Sequence, residues 1–141
     1  MKKGIAFLLA AVMCLGFVGC GEKAGSAKSI YNELEKVGKL SLEAEYQNVE
    51  TKHMSSDKAS VLEQIVFRMP EEERESEHLQ NACYIEMYPS EEKAAECAES
   101  ISDKYWYIYS SGNMLLLIDR AITEEAAEEY SKAFGKAVAG E

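Results

Sequence analysis

From Ala82 onward the spacing of apolar residues switches repeatedly between two and about 3.6, and this alternation limits the fold more than any other feature. Cys83, Ile85 and Met87 fall on one side of an extended segment, with Tyr84, Glu86 and Tyr88 on the other, before Pro89 ends the strand. Ser90 can cap a helix whose Ala94, Cys97, Ala98 and Ile101 share one face. Two extended runs, Tyr105 to Tyr109 and Met114 to Asp119, flank Ser111-Gly112-Asn113, where residues that tolerate positive φ predict a hairpin. Thr123 can cap a last helix that turns Ala126, Ala127, Tyr130, Ala133, Phe134 and Ala137 inward. Strand, helix, hairpin, helix is an α+β plan built on an antiparallel sheet.

The preceding residues extend that plan. Ser29 can cap a helix carrying Ile30, Leu34 and Val37 on one face, with Gly38 as its stop. Leu42, Ala44 and Tyr46 alternate with Glu43, Glu45 and Gln47, as in a half-buried strand. Ala59 to Met69 fits two patterns: Val61, Ile65, Phe67 and Met69 suit a strand face, while Val61, Leu62, Ile65, Val66 and Met69 suit a helix. Its β-branched residues and Phe67 favour strand, and Pro70 ends it. The expected order is helix, strand, strand, strand, helix, strand, strand, helix, with about four or five strands in one domain over residues 29–139.

The first residues carry an address. Met1-Lys2-Lys3 precedes a stretch from Gly4 to Gly21 that holds no charge, a basic segment followed by an apolar one. Its length is near the lower limit for a spanning helix, so hydropathy alone allows an uncleaved anchor. Phe17-Val18-Gly19-Cys20, at its end, resembles the lipobox of bacterial lipoproteins. That resemblance implies a signal peptide over residues 1–19, recognised at Phe17, Val18 and Gly19, and a Cys20 that bears lipid on the extracytoplasmic face of the cell membrane. Cys14 fits less well because bulky Met13 precedes it. Residues 20–28, rich in Gly, Ala, Ser and Lys, read as the lipidated cysteine and its tether.

Charge then narrows the partners. Without Lys2 and Lys3 the 15 basic residues become 13 against 25 acidic ones, a mature charge of about −12. Such a balance argues against nucleic acid and against adhesion to anionic lipid, so the expected membrane contact is through Cys20 alone. The acid run Glu71 to His78 reads as a solvated loop. Cys83 and Cys97 remain after cleavage. A strand position and a helix position six residues from the same turn sit at unequal distances from it, so both are expected as unbridged core residues.

Over about 110 residues, and closely over the last 60, the chain resembles a group of small, uncharacterised lipoproteins of Gram-positive bacteria. The likeness lies in Cys83-Tyr-Ile-Glu-Met-Tyr, Tyr107-Ile-Tyr, Gly112-Asn113-Met-Leu-Leu-Leu-Ile and Thr123-Glu-Glu-Ala-Ala-Glu-Glu-Tyr-Ser-Lys-Ala-Phe134. It implies location and fold and brings no catalytic residue. Members carry a Gly-Arg-Pro loop after the first strand, where this chain has Lys52-His53-Met54-Ser55-Ser56-Asp57.

Little in the chain points to a reaction. His53 and His78 are the only imidazoles, and neither has a ligand partner at zinc-site spacing. Ser55 and Ser56 lie near His53 without an oxyanion-hole motif. No metal, cofactor or catalytic residue is expected. The least ordinary feature is aromatic: Tyr84 and Tyr88 share one strand face, Tyr105, Tyr107 and Tyr109 another, opposite Trp106 and Ile108. If the two later helices cover the Trp106 side, these five tyrosines, with Leu116 and Ile118, line the other. Either the first helix covers them through Ile30, Leu34 and Val37, or they form a platform for an envelope protein or glycan. The leading expectation is a membrane-anchored, non-enzymatic binding module. A small-ligand receptor with a cleft between the first helix and the sheet is the alternative, and a hydrolytic enzyme a third.

Overall fold

The computed structural model describes residues 25–51, 59–70, 73 and 82–141. The signal segment with Phe17, Val18, Gly19 and Cys20, the loop holding His53, Ser55 and Ser56, and the acid run with His78, Glu73 excepted, lie outside the described residues.

Helix α1 spans Ala27–Leu34. Its cap is Ser26, whose Oγ accepts from the Ser29 amide at 3.0 Å, whereas Ser29 had been the expected cap. The Ala27 amide donates to Glu63 Oε1 at 2.6 Å. Ala27 and Lys28, read from sequence as tether, therefore belong to the domain. Strands β1 (Ser41–Thr51), β2 (Ala59–Arg68) and β3 (Cys83–Met87) follow, then α2 (Glu91–Ser100), β4 (Trp106–Ser111), β5 (Met114–Asp119) and α3 (Glu124–Ala139). This is the expected α+β order, and the ambiguous segment before Pro70 is strand. Ser90 and Thr123 cap α2 and α3 as expected, accepting from the Lys93 and Ala126 amides. Gly112 takes φ 57° in the two-residue turn between β4 and β5.

All neighbours in the five-stranded sheet pair antiparallel, in the order β1-β2-β3-β5-β4. Because β3 and β4 both run against β5, they are parallel to each other, and β3-α2-β4 is a split βαβ unit with β5 inserted. Asn113 fastens the hairpin tip: its carbonyl accepts from the Tyr88 amide at 2.8 Å and its side chain donates to the Tyr88 carbonyl at 2.8 Å.

Helices cover both sheet faces. Ile65, Phe67, Cys83, Ile85, Leu116 and Ile118 meet Ile30, Tyr31 and Leu34 of α1 and Tyr130 and Phe134 of α3. On the other side Leu115 and Leu117 meet Ala94 and Cys97 of α2, with Trp106 and Ile108 beside them. The expectation that both later helices lie over Trp106 is thus half right; α3 crosses to the opposite face and packs against α1. Cys83 and Cys97 are free, buried, and separated by the sheet itself.

Strand β1 is an edge, and it departs from simple alternation. A bulge between Leu42 and Ala44 sets Leu42 opposite Phe67 and Ala44 opposite Val66, so the two side chains point to different faces. Leu42 and Tyr46 remain 40% and 49% exposed because neither helix layer is centred on this edge. The half-buried pattern read from Leu42, Ala44 and Tyr46 is corrected accordingly.

Gly38 lies four residues beyond the end of α1, so it does not serve as that helix's cap. Its use is space: a Cβ there would fall 2.2 Å from the Tyr130 hydroxyl oxygen. Gly38→Ala should cost about 1–3 kcal/mol in denaturant unfolding, since the buried ring has little room to retreat. Adding Tyr130→Phe should recover much of that loss, because the next atom is 3.5 Å away, an ordinary contact.

Candidate functional site

The register decides where each tyrosine goes. Tyr84 pairs with Leu117, which pairs with Ile108, placing Tyr84 on the α2 side with Trp106. Its ring meets Trp106 edge-on at 6.2 Å between centroids, and Tyr105 meets the same indole at 6.1 Å. Trp106 Nε1 donates to the Ala82 carbonyl at 2.9 Å, which fixes the indole between the two phenols. Tyr105 is 40% exposed, with the Lys104 ammonium 5.4 Å from its ring centre. This is an aromatic cluster at one end of the sheet, and its ring pairs have the edge-to-face geometry that aromatic quadrupoles favour.

Tyr107 and Tyr109 lie on the opposite face. They pack against the α1 and α3 core with Leu116 and Ile118, as their parity predicts. The Tyr107 hydroxyl donates to the Ile122 carbonyl at 3.0 Å, and Arg120 stacks over its ring at 4.3 Å. Burial first, and the Glu128 carboxylate second, raise the Tyr109 phenol above its usual pKa. The five tyrosines therefore do not make one stripe. Tyr84 and Tyr105 join Trp106, Tyr107 and Tyr109 lie beneath α3, and Tyr88 is inside the protein. The sequence pattern could not reveal that α2 and α3 divide between the faces.

Tyr88 belongs to a polar cluster that sequence reasoning missed. Glu86 is fully buried, accepting from Gln64 Nε2 at 2.6 Å and from the Tyr88 hydroxyl at 2.7 Å. The Tyr88 hydroxyl also contacts the Cys97 thiol, joining β2, β3 and α2 through side chains. Burial, then the neighbouring carboxylate, raises the Tyr88 phenol strongly, and burial raises the Cys97 thiol. Such a thiol stays protonated and is a poor nucleophile. The available signal was Glu86 itself, a carboxylate between two tyrosines on one strand face.

The cleft considered beneath the first helix is filled. Ile30, Tyr31 and Leu34 are buried there, and Tyr31 meets Phe67 edge-on at 5.5 Å. Burial and the Glu35 carboxylate push the Tyr31 phenol up to about 12, so it stays neutral in that interface. Among the described residues, no group of three or more His, Cys, Asp or Glu could hold a metal ion, and no helix is long and apolar enough to cross a membrane.

No protein-family model, curated protein or solved structure matches the chain.

Proposed function

We propose that this protein is a lipoprotein anchored through Cys20 to the extracytoplasmic face of the cell membrane, where it acts as a non-enzymatic binding module of the envelope. The observation that carries this reading is the closeness of two features. Phe17-Val18-Gly19-Cys20 stands at the end of an apolar segment, and α1 begins a few residues later at Ala27. A cut before Cys20 would leave α1 and its Ser26 cap in the mature chain, and two acyl chains would hold it stably at the bilayer. The cluster of Tyr84, Tyr105 and Trp106 is the recognition surface of this module, because it presents partly exposed aromatic area that includes the exposed Tyr105.

Mass spectrometry of the membrane-extracted protein should find Cys20 as the diacylated N-terminus. An intact Met1, or a cut elsewhere, would rule the anchor out. For the surface, Tyr105→Ser should keep the melting temperature while reducing cross-linking of the anchored protein to its envelope partner. Tyr107→Ser serves as the contrast and should destabilise the domain through loss of its packing and its bond to Ile122. Unchanged cross-linking by the Tyr105→Ser protein would remove the aromatic cluster from the recognition role.

A further inference from the structure

The two edges of the sheet are built differently. β1 bears Glu43, Glu45 and Glu50, a bulge, and a positive φ of 52° at Asn48. Charges and irregularities of this kind prevent strand addition. β4, the other edge, reads Trp-Tyr-Ile-Tyr-Ser-Ser, with no charge, no proline and an unbroken register against β5. Its composition is that of a segment prone to pair with another strand.

The inward hydrogen bonds can be assigned from the ladder. The Arg120 amide donates to the Tyr105 carbonyl, so the odd-numbered residues of β4 bond to β5. The main-chain N–H and C=O groups of Ile108 and Ser110 consequently face outward. Among the described residues no hydrogen bond to them is found on that side. Three uncharged side chains of β4 turn toward α2, and Tyr107 and Tyr109 toward α3.

We infer that β4 pairs antiparallel with β4 of a second copy of this chain, centred on Ile108, joining two five-stranded sheets into one. Pairing Ile108 with itself across the two-fold axis sets Trp106 opposite Ser110 of the second copy and Tyr107 opposite Tyr109. The tyrosine pairs are non-hydrogen-bonded ones, where side chains approach most closely. The charges nearby also match. Arg120 lies over Tyr107, and both Glu128 and Arg120 act on the Tyr109 phenol, so setting Tyr107 opposite Tyr109 of the second copy brings opposite charges of the two copies to the same side of the joined sheet. In a chain this acidic, β4 offers a strand edge whose own side chains include no carboxylate, and an antiparallel two-fold makes that edge complementary to itself.

Sedimentation equilibrium of the full chain in detergent tests the pairing. The wild type should be a dimer. Ser110→Pro removes an outward N–H while leaving the bonds to β5, and should give a monomer with an unchanged melting temperature. Should the proline also lower the melting temperature, a charge exchange decides: Arg120→Glu should dissociate the dimer, and Glu128→Arg in the same chain should restore it. A monomeric wild type overturns the inference, and protection of the Ile108 amide by an added extended peptide would then assign the edge to a strand from another protein. A dimer that survives Ser110→Pro with the fold intact also overturns it, since shared residence in a micelle would persist in that variant.

Discussion

Glu86→Ala should remove about 3–5 kcal/mol of stability, seen as a large fall in the urea midpoint. The carboxylate is fully buried between β2, β3 and α2 and accepts from both Gln64 and Tyr88. Truncation leaves an amide and a phenol hydroxyl without their acceptor, and each orphaned buried group costs about 1–3 kcal/mol. A cavity adds to this. Glu86→Gln preserves the shape and one acceptor, and the Tyr88 hydroxyl can rotate to accept from the new amide, so its cost should be clearly smaller. Since a domain of this size holds roughly 5–15 kcal/mol in total, the alanine variant should sit close to unfolding at moderate temperature. Equal losses from alanine and glutamine would show that the charge, rather than the shape and hydrogen bonds, is what the site requires.

The second large effect concerns β5, every residue of which is buried. Leu116 faces α1 and α3, whereas Leu117 faces α2. Leu116→Ala and Leu117→Ala should each cost about 2–5 kcal/mol, because each opens a cavity in a packed layer. A sheet with one wet face would show a large loss at only one of these positions. A near-neutral result at either would therefore contradict the three-layer arrangement. Thermal unfolding of the two single variants, compared with the wild type, is sufficient to decide it.

The sequence conveyed local structure well because local rules act there. Ser90 and Thr123 satisfy backbone groups within a few residues, Gly112 supplies the positive φ of its turn, and those elements are where the pattern places them. The uninterrupted Met114 to Ile118 run is also informative, since a strand buried on both faces needs no polar alternation. What could not be read depends on distant partners. Which helix covers which face is set by packing of α1 against α3, and no spacing within β4 specifies it. The expected single tyrosine surface failed for this reason. Similarly, Glu86 finds Gln64 on another strand, 22 residues away. Nor does any residue around Glu43 announce the bulge that turns Leu42 away from Ala44. For the recognition surface, the aromatic residues were visible in sequence, but their grouping into Tyr84, Tyr105 and Trp106 required the register.

The crossing of α3 to the α1 side also sets the order in which the chain can finish folding. During synthesis β1, β2 and β3 are complete while Phe67 and Ile85 still lack half their cover, because Tyr130 and Phe134 follow all five strands in sequence. The α2 side can close earlier, from Leu115 and Leu117 onto Ala94 and Cys97. A nascent chain that stalls before α3 would thus hold one finished layer and one open one. The α1 side is completed only by the sixteen-residue α3, so a chain that breaks off within α3 should expose that layer and be marked for proteolysis before any partner could meet it.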